Sequence, residues 1–169
     1  MAATFQFAQS YGAGPTVADI GDGSGGNYWN FKDVDDATPA NYSSNPITAG
    51  NNSYEVWLRA HVTGTFNVID NFQFWQSAAF SPATGLTLYW KGNNVGAYVQ
   101  SVKTVSSVAT VAMPTSDPGT ANVSIGGSLS GTLTGAGYSD YIVIQLQTTG
   151  SAASGDTSSA TFTLQYDEQ

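Results

Sequence analysis

The residues best able to do chemistry lie in one acidic, aromatic stretch, GDGSGGNYWNFKDVDDATPAN, Gly21 to Asn41. It carries Asp22, Asp33, Asp35 and Asp36 around Asn27, Tyr28, Trp29 and Phe31, and Asp19 stands just before it. Carboxylates and amides are hard oxygen donors, and calcium takes about six to eight of them. Asp19 and Asp22 would supply one half of such a site, and Asp33, Asp35 and Asp36 the other. The stretch lacks the Gly and Glu positions of an EF-hand loop. It also lacks the recurrence of a glycine-rich calcium repeat. The competing account is a turn-rich contact loop. Its Asp and Asn side chains would cap their own backbone, while Tyr28, Trp29 and Phe31 pin it to the body of the protein. The pattern favours the loop, so no cofactor is expected and calcium is the exception to test.

Other constellations are thinner. Glycosidases need two carboxylates across one cleft, and the chain has two glutamates, Glu55 and Glu168, the second beside the C-terminus. Asp70 sits inside an aromatic strand, where it would be buried, occupy a bulge or pair with Arg59. His61 is the sole histidine, and no G-x-S-x-G elbow accompanies it. Glu55, Arg59 and His61 share one strand face, which fits a surface or interface polar network, and no enzymatic activity is expected. Trp57, Trp75 or Trp90 would serve a sugar-stacking platform if two lay flat and open. Trp57 and Trp75 are out of phase with the apolar faces of their strands. At least one should meet the long loop, a neighbouring subunit or a ligand.

These residues need a scaffold, and composition names its class. The 169 residues suit a single domain, 1–169, and no cysteine is present. Only 9% of residues are charged, the net charge is -8, and the basic residues are Lys32, Arg59, Lys91 and Lys103. Phosphate binding needs clustered Lys and Arg, so neither nucleic acid nor an anionic membrane is an expected partner. The opening MAATFQFAQSYGAG has no basic and apolar regions of a secretory signal, which leads us to expect a product made in the cytoplasm.

Period-two alternation recurs along the chain. SYEVWLRAHV puts Tyr54, Val56, Leu58, Ala60 and Val62 on one face, opposite Glu55, Trp57, Arg59 and His61. TFNVIDNFQFWQ puts Phe66, Val68, Phe72 and Phe74 in phase, with Asp70 interrupting. DYIVIQLQTT reads Ile142, Ile144 and Leu146 inward, with Gln145 and Gln147 outward. SATFTLQYDE reads Phe162, Leu164 and Tyr166 inward. Gly, Pro and Asn turns separate these runs. The expected fold is all-β: an antiparallel β-sandwich, jelly-roll-like, with a long loop excursion near the N-terminus. Residues 1–11 would be an N-terminal strand or arm, 12–52 the excursion, and 53–169 the main sandwich.

The run GNNSYEVWLRAHVTGTFNVIDNFQFWQS, Gly50 to Ser77, followed by TGLTLYWKG, resembles virion proteins of tailed phages. The ending GYSDYIVIQLQTTGSAASGDTSSATFTLQYDEQ is similar to the final hairpin and acidic tail of such proteins. The resemblance implies a structural protein on the capsid exterior, a decoration subunit that coats or stabilises the head. By analogy it would be a homo-oligomer, a trimer, with the major capsid protein or other virion proteins as partners. It carries over no catalytic residues. Interface candidates are Phe5, Phe7, Trp29, Trp57, Arg59, His61 and Trp75, and the strand TFQFAQ would add to a neighbour's sheet edge. The alternatives are a carbohydrate- or receptor-binding module and a self-assembling filament or tube subunit.

Overall fold

A computed structural model of the chain describes residues 3–21, 29–38, 43–126, 131–153 and 159–169. The strands are β1 (Ala3–Tyr11), β2 (Thr16–Gly21), β3 (Val56–Gly64), β4 (Ile69–Ala78), β5 (Leu86–Lys91), β6 (Val111–Ala112), β7 (Gly137–Tyr138), β8 (Ile142–Thr148) and β9 (Thr161–Glu168). No helix occurs among the described residues, so none there is long and apolar enough to cross a membrane. One sheet runs β2-β1-β3-β8-β5-β6, with β7 pairing to β3, and the other is β4-β9. Every pairing among these strands is antiparallel. The result is a β-sandwich divided seven strands to two, which differs from an even pair of sheets.

The alternating sequence explains the inner face. On β3, Val56, Leu58, Ala60 and Val62 are buried and join Phe7, Phe74, Leu88, Trp90, Ile142, Ile144 and Leu146 in the core between the sheets. Two strands cannot cover seven. Met113, Val123 and Ile125 complete the core, and Trp29, Phe31, Ala37 and Ile47 pack against it from the excursion. Phe74 stacks on Phe162 at 5.8 Å, while Phe7 meets Phe74 and Trp29 edge-on.

The large sheet is also covered on its outer face. Trp57 is fully buried there with Val95, Ala109, Tyr141 and Val143, and Tyr89, Tyr98 and Val108 pack around them. The segment between β5 and β6 forms this third layer. Truncating a buried aromatic of this size costs about 3–5 kcal/mol, so the cover is integral to the fold.

Several expectations need correction. TFQFAQ takes the strand form of the strand-or-arm reading, within its own sheet: β1 pairs with β3 along Ala3 to Ser10 and with β2 along Phe7 to Tyr11. Thr16–Gly21, read as part of the excursion, is strand β2 of the main sheet. Gln145 does face outward, yet it is buried, because the cover closes over it. On β4 the phase slips: Ile69 and Phe72 are both buried. Asn71 has φ 53 and the register with β9 shifts between Asp70 and Gln73. Asp70 thus belongs to a bulge, aligned with Asp167 and not with Arg59.

Gly85 opens β5 at φ +74, and a Cβ there would lie 2.6 Å from the Ala152 backbone nitrogen. Both the left-handed conformation and the contact demand glycine. Gly85→Ala should therefore lower stability by about 1–3 kcal/mol, read from urea unfolding. A variant as stable as wild type would show that this turn relaxes freely.

Candidate functional site

The acidic stretch is a set of clamps, two of which reach other elements and one of which closes within the stretch. Asp33 takes the Lys103 ammonium, 2.6 Å from Oδ1, and so ties the excursion to the outer cover. Asp35 Oδ2 accepts the Gly12 N–H at 2.8 Å. The Tyr98 hydroxyl donates to the Gly12 carbonyl at 3.0 Å, so the turn between β1 and β2 is gripped at both its N–H and its C=O. Asp36 pairs with Lys32. That lysine is only 4% exposed, and it also donates to the Thr38 carbonyl at 2.7 Å. A buried ammonium without such partners would be strongly destabilising.

These aspartates reach different partners. Among the described residues no group of three His, Cys, Asp or Glu side chains is placed to hold a metal ion. Asp19 lies on β2 and pairs with His61, and Asp22, Asn27 and Tyr28 lie outside the described residues. Trp29 packs on Phe7 and Phe162, and Phe31 on Phe80 and Phe162, as expected for residues that pin a loop.

Burial raises the Asp35 carboxyl above its ordinary value of 3.8. The Gly12 N–H opposes the rise, and the charges of Asp36 and Glu55 add to it. Burial likewise raises Tyr98 above its ordinary 10.0, against the hydrogen bond from Ser101.

A second polar cluster lies under the cover. Glu55 accepts from the Trp57 indole N–H at 3.0 Å, from the Val102 N–H at 3.4 Å and from the Ser106 hydroxyl. Beside it, Gln145 donates to the Thr104 carbonyl at 2.7 Å and the Ser53 carbonyl at 3.1 Å. Its own carbonyl accepts the Ser106 N–H at 2.9 Å. Glu55 and Glu168 do not face one cleft: the first is under the cover, and the second accepts the Ala3 N–H at the end of β9.

The third cluster lies on the outer face beside the cover. The Arg59 guanidinium carbon sits 4.8 Å from the Tyr138 ring centre and 4.9 Å from that of Tyr141. Its Nε donates to the Ser139 carbonyl at 2.7 Å. His61 stacks on Tyr138 at 4.2 Å. Its Nδ1 lies 3.1 Å from Asp19 Oδ1 and 3.1 Å from Gln6 Nε2, and so donates to the first or accepts from the second according to tautomer. Neither of these two partners is a serine.

Of the interface candidates, Phe7 and Trp57 are buried within the chain. Phe5 and Trp29 are half-buried against the core, and Trp75 is half-buried on β4. Arg59 and His61 remain on the outer face. Sequence reading missed the parts played by Tyr138, Gln145, Lys32 and Lys103. The one signal for the cover was that Tyr141, Val143 and Trp57, all outward by period, are apolar.

Among the described residues, two shallow cavities measure about 120 and 170 Å³. Trp90 lines the second, with Asn93, Lys91 and Asn122 beside it. Ligand pockets usually measure about 300–1,000 Å³. Comparison with protein-family models, with curated proteins and with solved structures finds no match. The functional argument therefore rests on the residues themselves.

The buried cluster and the clamps can each be tested by one substitution. Gln145→Leu keeps the volume but strands the Ser53 and Thr104 carbonyls and the Ser106 N–H, and should cost about 2–4 kcal/mol in urea unfolding. Stability equal to wild type would show that the cover is dispensable. The second test concerns pH. The folded chain holds the Asp35 proton to higher pH than the unfolded chain does, so ionisation of Asp35 opposes folding. This penalty is relieved as pH falls through the folded value towards 3.8. Asp35→Asn should thus be more stable than wild type at neutral pH, with the difference shrinking on acidification. A difference that grows towards pH 3.8 would contradict this.

Proposed function

We propose that this chain is a non-enzymatic structural subunit that works by self-assembly, most concretely a decoration protein on the head of a tailed-phage particle. The observation that supports it best is the fate of Trp57. A sugar-binding module would present its out-of-phase tryptophans in a flat, open pair, whereas a structural subunit buries them against protein. Trp57 is fully buried beneath its own cover, and Trp90 is 7% exposed in the core. Trp29 leans on Phe7 and Phe162.

The scarce charges support the same reading. Asp33 with Lys103 and Asp35 with the Gly12 N–H fasten the excursion to the cover and to the β1–β2 turn, and Lys32 with Asp36 braces it internally. The outer face then carries Arg59, His61 and Tyr138, and Arg and Tyr are residue types enriched where proteins meet. The phage assignment rests on the resemblance of the β3–β4 and C-terminal runs, and so does the trimer as the first expected oligomer. The partners would be further copies of the chain and the major capsid protein.

Light scattering on the purified protein tests the reading. The native mass should exceed the 17.6 kDa monomer and stay unchanged when a chelator replaces calcium, since the described aspartates already hold protein partners. A monomer at every concentration would overturn self-assembly. A mass that drops with chelator would assign the acidic stretch a structural metal.

A further inference from the structure

The outer face of the large sheet carries two charges of opposite sign in one cross-strand row. Asp19 on β2 aligns with Ala8 on β1, and Ala8 aligns with Arg59 on β3. Neighbouring strands lie about 4.8 Å apart, which sets the two backbone positions about 10 Å apart. The next row holds Gln6, His61 and Tyr138. Tyr138 is 36% exposed and the Asp19 side chain 45%.

Among the described residues no carboxylate lies within ion-pair distance of Arg59, whereas Lys32 and Lys103 each have one. Its guanidinium is aimed by two tyrosine rings and by the Nε bond to Ser139. A planar guanidinium presents the fork that recognises a carboxylate. Asp19 Oδ1 lies 3.1 Å from His61 Nδ1. Among the described residues the two charges form no ion pair with each other.

We propose that this row is a self-complementary contact with a second copy of the chain, related by a twofold axis that runs parallel to β1 in the plane between the two faces. Such an axis exchanges the β2 and β3 sides of the row. Arg59 of one copy then faces Asp19 of the second copy, and Asp19 of the first faces Arg59 of the second. The contact is isologous, as closed twofold pairs require. It also answers a constraint on assembly, because two bodies each of net charge -8 repel. Pairing each guanidinium with a carboxylate places attraction where they touch. The contact implies an even-numbered assembly, either a dimer or a trimer doubled through its twofold axes.

This inference rests on the self-assembly reading, and charge reversal separates the two. Arg59→Glu alone and Asp19→Lys alone each place like charges opposite one another twice, so each variant should lose the twofold contact and show a smaller native mass. When the two variants are mixed in equal amounts, opposite charges meet at both ends of the row. The introduced glutamate of one faces the introduced lysine of the other, and the remaining Asp19 faces the remaining Arg59. The mass should then recover. Thermal melts confirm that each variant is folded. Loss in both single variants with recovery on mixing supports the contact. A wild-type oligomer that both variants retain overturns the contact and leaves the assembly reading standing. Loss without recovery on mixing overturns the pairing as well. A wild type that is monomeric throughout, with a mixture that is also monomeric, overturns both.

Discussion

The fold depends on how the outer face of the large sheet is closed. A two-sided sheet needs a cover on each face, and this chain supplies the second with an irregular segment whose backbone groups need partners of their own. Gln145 meets that need from the middle of β8, bonding the carbonyls of Ser53 and Thr104 and the N–H of Ser106. Glu55 does the same from the other side of Trp57. A buried polar group is tolerable when every bond is made and costly when one is missing. The cover, the sheet and the indole between them therefore stand or fall as a unit. Trp57 lies among Val95, Ala109 and Tyr141 with its N–H taken by Glu55.

That dependence explains what the sequence could and could not reveal. The inner faces were legible because alternation alone decides them: Val56, Leu58, Ala60 and Val62 on β3, Leu88 and Trp90 on β5, and Ile142, Ile144 and Leu146 on β8 all point into the core. The all-β class followed from the same pattern. The cover was not legible, because a segment without periodicity gives no sign of which face it lies on. Gln145 read as solvated for that reason. The bulge was one of the readings open for Asp70, and alternation could not choose it, since only the backbone shows that one residue at φ 53 reverses the phase of the positions beyond it.

The acidic stretch shows the limit most clearly. Its residue types favour a clamping loop over a cation site without naming the partners, and only the partners decide. Asp33 finds Lys103, which stands 70 residues away in the chain, and Asp35 finds the Gly12 backbone. Sequence spacing holds no trace of such distant contacts. The aromatic half was easier, since Trp29 and Phe31 had few apolar surfaces to join other than the core.

The same scarcity of charge shapes the exterior. Of the chain's four cations, Lys32 and Lys103 lock its own loops, and among the described residues Arg59 and Lys91 form no ion pair. Arg59 is the one held by rings and by a backbone carbonyl. Such restraint lowers the entropy lost when a partner arrives, and preorganisation of this kind raises affinity without adding contacts. A guanidinium wanted only for solubility would not need two tyrosines to aim it. The rigidity conferred by the clamps and the orientation of Arg59 thus act together. The acidic loop fixes the β1–β2 turn and the cover, and those two elements border the face on which Arg59 is displayed.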